Sequence, residues 1–574
     1  MENETDVTAR LGELAPAVDT ALEELRAKNI VHRLWARDHT VWKDDPSDIR
    51  NRLGWLDSPD VMRRAVPDIL SFAREARDAG FDHALLMGMG GSSLAPEMFR
   101  RSFGVKEGCL DLDVLDSTDP GAVLGYARER DPSRTLFIVS TKSGGTVETL
   151  SFMKYFYNHV SRALGPEKAG SRFIGITDPG SSLASTGADL GFRRVFLNDP
   201  DIGGRYSALS FFGLVPAALA GIHIRKLLES AGRSAAVCRE PVDPATGRKH
   251  GAWLGAVIGQ AARTGRDKLT LFLSPGISSF GAWVEQLIAE STGKEGKGIL
   301  PVDGERPAPP ETYAPDRLFV RVRLSGDATH DALLDRLAEQ GHPVIDITLD
   351  DRYDLGGECF RWEVATAVAA HLLGINPFDQ PNVESAKVLA RRMVTAFREE
   401  GRLPDDAPTL AAEGVRVTAA FPAESLSDVF NRFLGAARKG NGGGRSYIAL
   451  QAYVRPGEDT WAALQVLRSA LHRKTRLATT LGYGPRFLHS TGQLHKGDGG
   501  NGLFIQITAD IPEDAPVPDR IGREESSITF GALKTAQALG DRRALLDAGR
   551  PVVRFHVGED AVTDIGKLTR ALGD

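Results

Sequence analysis

Two segments combine glycine with small hydroxyl side chains in a way that suits an anion. In the first, Gly88, Gly90 and Gly91 lead into Ser92 and Ser93, directly after the apolar run His83-Ala-Leu-Leu-Met. Glycine lets a backbone turn sharply and approach a ligand. The serine hydroxyls and the N–H groups of a following helix start can then point at an anion. The dinucleotide fingerprint lacks its third glycine here, and the P-loop ending Gly-Lys-Ser/Thr is missing. For this loop alone, a tight turn with a serine cap is the stronger reading. The second segment, Ser140-Thr-Lys-Ser-Gly-Gly-Thr-Val-Glu-Thr, ends another apolar run and opens a helix. Thr141, Ser143 and Thr146 can hydrogen-bond a phosphate at that helix start, where neutral donors and helix polarity do most of the binding and Lys142 adds little fixed charge. The plainer alternative is an N-cap cluster, with Thr146 and Glu148 in the first turn. Two hydroxyl-rich loops at strand ends of one sheet strengthen the ligand reading, because such sheets bind ligands at the carboxyl ends of their strands.

The elements that must carry these loops are short apolar runs alternating with helical stretches. Strands are expected at His83-Ala-Leu-Leu-Met-Gly, Asp111-Leu-Asp-Val-Leu-Asp, Thr135-Leu-Phe-Ile-Val-Ser, Arg172-Phe-Ile-Gly-Ile-Thr and Arg194-Val-Phe-Leu. The pattern restarts at Lys268-Leu-Thr-Leu-Phe-Leu, Leu318-Phe-Val-Arg-Val and Val344-Ile-Asp-Ile-Thr-Leu. Repeated strand and helix of this kind predict α/β units with doubly wound parallel sheets. A third region follows with strands at Arg416, Tyr447, Leu477 and Leu503 and a helix from Trp461 to Lys474. Leu11, Leu14, Val18, Leu22 and Leu25 recur at helical spacing ahead of all this. The expected organisation is a helical segment over 1–75, α/β units over 76–240 and 241–400, and a C-terminal α/β domain over 401–574. The glycine-rich stretches from Lys439 and from Lys496 are expected to be flexible loops.

Composition excludes several classes. Hydrophobic residues make up 42% and charged residues 25% of the 574, as in ordinary globular proteins, and a core split into several units is expected at this length. The net charge of −6 has no basic excess of the kind that nucleic-acid binding requires. No apolar stretch is long enough to span a membrane, and the N-terminal residues lack a signal-peptide pattern. Cys109, Cys238 and Cys359 share no metal-ligand spacing, which predicts a cytoplasmic protein with neither a disulfide framework nor a metal. No cofactor is expected.

Five segments together resemble the sugar isomerase (SIS) superfamily and, within it, the phosphoglucose isomerases. These are Gly88 to Ser92; Thr141-Lys-Ser-Gly-Gly-Thr146; Gly203-Gly-Arg-Tyr-Ser207; Gln286-Leu-Ile-Ala-Glu290-Ser-Thr-Gly-Lys294; and Asn376-Pro-Phe-Asp-Gln380 through Lys387. The resemblance implies two flavodoxin-like SIS domains, a hexose phosphate substrate, a usual homodimer, and interconversion of glucose 6-phosphate and fructose 6-phosphate through a cis-enediol. It assigns the proton transfer to Glu290, places Gly204 and Arg205 near the reacting carbons, and gives Lys387 a part in ring opening. Gln380 then borders the phosphate, which Gly91, Ser92, Thr141, Lys142, Ser143 and Thr146 help to seat. The region after 400, with Gly482-Tyr-Gly-Pro-Arg-Phe-Leu-His-Ser-Thr-Gly-Gln-Leu-His-Lys-Gly, is similar to isomerases fused behind a transaldolase. The roughly 80 leading residues are too few for a β/α barrel, so a stand-alone isomerase of that subtype is expected.

The chemistry wants such residues. Moving a proton between C1 and C2 needs one base on one face of the sugar, and a carboxylate suits where a partly dry pocket raises its pKa. The developing enediolate needs fixed positive charge, which Arg205 in a Gly-Gly-Arg turn can give. Gln286 lies one helical turn before Glu290, on the same face, where it can reach the substrate. The family usually adds a histidine, often from a neighbouring subunit, yet 294–328 contains none. His330 and His342 sit in surface-like contexts and His371 in an apolar helix. His489 and His495 lie in the C-terminal glycine-rich stretch, and one of them is expected to reach the site and assist ring opening, unless that stretch is only structural. Two other readings remain open on sequence, an isomerase that also takes mannose 6-phosphate and a non-catalytic sugar-phosphate sensor; an amidotransferase would need an N-terminal nucleophilic cysteine, and none precedes Cys109.

Overall fold

The computed structural model describes residues 5–243, 247–403, 406–438 and 444–573, with side chains at 384–387, 390, 391 and 396 outside the description. The stretch that opens at Lys439 therefore falls mostly outside the described residues, as does the side chain of Lys387. The chain begins with strand β1 (Asp6–Arg10), whose exposure alternates along its length, as on a sheet edge. Its pairing with a strand more than 300 residues later departs from the all-helical N-terminal segment expected from the leucine spacing. Helices Ala15–Ala27 and Ser58–Asp78 follow.

The first sheet holds β2 (His83–Gly88), β3 (Asp111–Leu115), β4 (Thr135–Ser140), β5 (Phe173–Thr177) and β6 (Arg194–Leu197) in the order β3-β2-β4-β5-β6, all parallel. The interior strand β4 is buried at every residue, as strands covered by helices on both faces must be. The second sheet holds β7 (Lys268–Leu273), β8 (Leu300–Val302), β9 (Arg317–Leu324) and β10 (Val344–Leu349) in the order β8-β7-β9-β10, parallel, with β1 antiparallel on the far edge of β10.

The third sheet combines β11 (Leu410–Ala412), β12 (Val415–Thr418), β13 (Tyr447–Tyr453), β14 (Ala478–Tyr483), β15 (Gly502–Ala509) and, after the small ribbon β16 (Pro516–Val517) and β17 (Ile528–Thr529), β18 (Val552–Val557). Its order is β11-β12-β18-β15-β13-β14, with β14, β13, β15 and β18 parallel. In each of the three sheets the first parallel strand lies between the second and the third. The chain reverses its winding there, and the crevice at such a switch point is where open α/β sheets bind ligands.

One hydrophobic core runs through the N-terminal helices, one face of the first sheet and the second sheet, while the third sheet has its own. Two seams join the third region to the rest. Ala515, Val517, Ile528 and Phe530 pack on the opposite face of the first sheet, and Tyr447, Ala449, Leu494 and Phe504 pack against Ala289, Leu300 and Val302. A buried ion cluster crosses the second seam: Glu305 accepts from Arg317 Nη1 at 3.0 Å and from the Thr479 N–H at 3.1 Å, with His472 Nδ1 at 3.2 Å. Burial alone would raise the Glu305 carboxyl, but Arg317, His472 and Arg468 hold it well below the usual range. The stretch from Lys496 begins in a helix and passes into a loop only over residues 498–501. Lys496 and Gly497 end the buried helix Gly492–Gly497, and the Lys496 ammonium lies 2.5 Å from Asp541 in the interior.

Candidate active site

Helix Phe280–Thr292 follows β7 and is buried along nearly its whole length, so polar side chains inside it are committed to specific partners. Glu290 is 5% exposed and Gln286 3%. Four residues apart, they share a helix face, and Gln286 Nε2 donates to Glu290 Oε2 at 3.1 Å. The same Nε2 donates to the carbonyl of His489 at 2.9 Å. Gln286 Oε1 is buried with no hydrogen-bond partner, an acceptor available to a hydroxyl brought in beside Glu290.

Arg205 lies in the short turn Gly204–Tyr206 after β6 and is equally buried. Its Nη1 is 3.5 Å from Glu290 Oε1. The rest of the guanidinium is fixed by donation from Nε to Ser291 Oγ at 2.9 Å, from Nη1 to Gln380 Oε1 at 3.2 Å, and from Nη2 to the carbonyls of Pro377 and Asp379 at 2.6 and 2.9 Å. A planar fork with fixed donors suits this use, and a lysine could not copy it. Lys294 tightens the same segment, donating to the Asp379 carbonyl and carboxylate, both at 2.6 Å. Burial, with Arg205 close by, lowers the Lys294 ammonium to about 8. In the sequence Lys294 stands out only as the end of a matched segment.

The first glycine loop closes over this pair. A Cβ on Gly91 would lie 1.9 Å from the carbonyl oxygen of Gly204, so only glycine lets the two turns touch. Ser140 Oγ donates to the Ser92 carbonyl at 3.1 Å, tying this loop to the end of β4. Beyond β4, Thr141 Oγ1 and Thr146 Oγ1 are 3.0 Å apart, and Ser143 Oγ accepts from the Gly145 N–H at 3.2 Å. Thr146 occupies the N-cap of helix Val147–Leu164, yet its side chain makes no cap hydrogen bond. The helix start therefore keeps its N–H polarity for another acceptor, contrary to a purely capping use of these hydroxyls. The Lys142 ammonium turns away from this loop, pairing with Asp178 and donating to the Pro200 carbonyl at 2.8 Å, so it anchors the loop from outside.

The third region enters at its strand-to-helix connection after β14. Arg486 pairs with Glu97 and lies 3.4 Å from Asp116, both on the first unit. His489 then places Nε2 3.0 Å from Glu148 Oε1, and its carbonyl takes the Gln286 bond given above. Gln493 Nε2 donates to the carbonyl of Gly293 at 2.8 Å and to Asn382 Oδ1 at 2.7 Å, clasping both ends of the Arg205 and Glu290 group. His495 does not join it. Its ring packs on Phe504, Phe487 and Tyr447 with centroids 5.0, 6.0 and 6.5 Å away, and Gln451 Nε2 lies 3.4 Å from its Nδ1. Burial, followed by Lys496 and Arg550, holds its pKa well below the ordinary imidazole value. A neutral core histidine is the physical result. His371 bonds the Val41 carbonyl at 2.5 Å, as a satisfied core histidine would. His342 is not surface-like but buried, against Phe319 at 5.2 Å.

Thus Glu290, Arg205, Gln286, Gln380, Gly91, Gly204 and His489 form one connected group, with Ser92 of the first loop and Thr141, Ser143 and Thr146 of the second beside it. Among the described residues no cluster of histidine, cysteine, aspartate or glutamate is arranged to hold a metal, and no helix is long and apolar enough to cross a membrane.

Parallel doubly wound sheets, hydroxyl-rich loops at a switch point and a buried arginine–glutamate pair beside them are the features that the resemblance to phosphosugar isomerases leads one to expect. Within that class the particular likeness is to glucose-6-phosphate isomerase. Residues 74–297 match the phosphoglucose isomerase family, a stretch that includes both glycine loops, Arg205 and Glu290. The glucose-6-phosphate isomerase of Rubrobacter xylanophilus is 29% identical over 418 residues, covering 64% of this chain and 94% of that one. That of Thermus thermophilus is 28% identical over 390 residues, covering 59% and 89%. A crystal structure of a hypothetical protein, also from Thermus thermophilus, superposes with a TM-score of 0.57 at 25% identity, over 67% of this chain and 99% of that one. The Chlamydia trachomatis glucose-6-phosphate isomerase shares the fold with a TM-score of 0.53 at 18% identity, over 69% and 89%.

Proposed function

We propose that the protein interconverts glucose 6-phosphate and fructose 6-phosphate through a cis-enediol, with Glu290 as the base that carries the proton between C1 and C2. The observation that carries this reading is the buried Glu290–Arg205 pair, 3.5 Å apart, beside the two hydroxyl-rich loops. Glu290 removes the proton from C2 of the open-chain aldose and returns it to C1. Arg205, held rigid before substrate arrives, stabilises the enediolate oxygens without having to reorganise. The phosphate sits at the uncapped start of helix Val147–Leu164, bonded by Thr141, Ser143 and Thr146. Gln286 Oε1 and Gln380 hold sugar hydroxyl and phosphate oxygens at the two ends of the substrate. His489 serves as the acid–base group for ring opening, supplied from the same chain. Lys387, whose side chain lies outside the described residues, keeps its proposed share in that step from the resemblance alone.

The finer assignments follow from the same reading. The subtype is that of isomerases fused to a transaldolase, for which the stretch 482–497 is the support. A homodimer and a reducing, cytoplasmic setting fit the family and the three unpaired cysteines. A coupled assay for fructose 6-phosphate conversion, run with and without EDTA, tests the reading. Conversion unaffected by the chelator supports it, and loss of conversion on chelation contradicts an acid–base mechanism run by side chains alone. Ser143→Ala and Thr146→Ala should each raise KM about three- to tenfold, with kcat within about twofold, since each removes one hydrogen bond to the phosphate. A fall in kcat at unchanged KM would move these hydroxyls from binding to chemistry.

A further inference from the structure

The carboxylate facing His489 has a second buried partner. Gln537, on helix Phe530–Asp547 of the third region, donates from Nε2 to Glu148 Oε1 at 2.6 Å. On the other side its Oε1 accepts from Thr118 Oγ1 at 2.8 Å. Thr118, Gln537 and Glu148 are 0%, 4% and 6% exposed. The amide turns its NH2 end to the carboxylate, which accepts. That leaves the amide oxygen for the Thr118 hydroxyl. One turn earlier on the same helix, Lys534 donates to Asp119 at 2.8 Å, both side chains buried. Consecutive residues at the end of β3 thus seat the helix, and Gln537 is presented to Glu148 at a fixed height.

We propose that Gln537 is a positioning residue of the isomerase site, acting from the third region through Glu148 on the imidazole of His489. The inference rests on His489 being the ring-opening group. A neutral amide donor suits this role. It holds the carboxylate by a donated hydrogen bond and sets its direction without adding a cation that would compete with the imidazole. With Nε2–H of His489 given to Glu148, the tautomer is fixed and Nδ1 is left to exchange a proton with the sugar. Nothing in the sequence around Gln537 signals this, because its partners lie 389 and 419 residues away.

The test compares Gln537→Met, which keeps the volume but loses both hydrogen bonds, and Thr118→Val, which loosens the amide alone, with His489→Ala as reference. Each variant is assayed for kcat, KM, the pH profile of kcat, and the rate of exchange between the α and β anomers of glucose 6-phosphate, which requires ring opening but no transfer between carbons. Gln537→Met should lower kcat and anomer exchange together about tenfold, keep KM within about twofold and shift a limb of the pH profile by about half a unit or more. Thr118→Val should do the same with a smaller loss, about two- to threefold, and decides the matter if Gln537→Met does not fold. A slow His489→Ala enzyme beside wild-type rates and pH profiles in both other variants would overturn the positioning role and leave the ring-opening reading intact. Wild-type anomer exchange in His489→Ala would overturn the ring-opening reading itself. A loss in Gln537→Met with no change in pH profile, matched by loss of folded protein, would reduce Gln537 to a structural contact and overturn the inference.

Discussion

Glu290→Gln lowers turnover by at least about a thousandfold while fructose 6-phosphate still binds, as expected when a positioned acid–base group is removed without changing its shape. Gln286 Nε2 donates to Glu290 Oε2, and the Arg205 guanidinium stands 3.5 Å from Oε1. An amide at position 290 keeps its shape and its oxygen toward Arg205, but its NH2 then meets the Gln286 NH2, so Gln286 must turn its free Oε1 toward it to restore the bond. What is lost is the ability to take a proton from carbon. Steady-state kinetics together with a direct binding measurement checks this: a low kcat with Kd within a few-fold of wild type is the expected pair. A variant retaining a tenth or more of the activity would mean that another group is the base.

The second large effect is expected from Arg205→Lys. The charge is kept, but the fork is not. One ammonium cannot serve Ser291 Oγ, Gln380 Oε1 and the carbonyls of Pro377 and Asp379 at once. Loss of a preorganised donor to a developing oxyanion costs on the order of a hundred- to a thousandfold in kcat, and the same range is expected here. KM should change much less, because the phosphate is held elsewhere. If Arg205→Lys instead raised KM and left kcat alone, the guanidinium would be a substrate clamp and not an electrostatic partner of the enediolate. Circular dichroism and the urea midpoint separate both outcomes from misfolding, a necessary control since the unpaired carbonyls carry a stability cost of their own.

Much of the framework was legible because it obeys simple rules. Parallel strands buried on both faces must be near-continuous apolar runs, and β2, β4, β5, β7 and β10 announce themselves that way. Strands that do not need such runs escaped. β1 buries only Val7, and β8 spans three residues. β18, Val552-Val-Arg-Phe-His-Val, is apolar enough for a strand and completes in the third region the winding of the other two. The glycine loops and Glu290 were legible as motifs in order along the chain. Their supports were not, since Gln537, Thr118 and Glu148 are ordinary residues made neighbours by packing of the third region on the first. The two histidines show the same limit. His489 and His495 stand six positions apart in one glycine-rich stretch with similar surroundings in sequence. Only burial separates them: one ring meets a carboxylate, and the other is enclosed by Phe487, Phe504 and Tyr447. Lys142 is placed among the phosphate ligands by the resemblance, but its ammonium pairs with Asp178, 36 residues on.

The third region also reaches the candidate site. Gln286 ties the Glu290 helix to the backbone of His489, and Gln493 ties it to Asn382. If His489 is the ring-opening group proposed above, the histidine that the resemblance leads one to seek on a neighbouring subunit comes from the same chain.

The most direct test of the central claim is isotope exchange in heavy water. During isomerisation of glucose 6-phosphate, the wild-type enzyme should place solvent deuterium at C1 of fructose 6-phosphate and at C2 of the recovered aldose, at a rate comparable with turnover. Glu290→Gln, with substrate still bound, should lose that exchange in step with its kcat. Deuterium entering these carbons at the wild-type rate in Glu290→Gln would contradict the account.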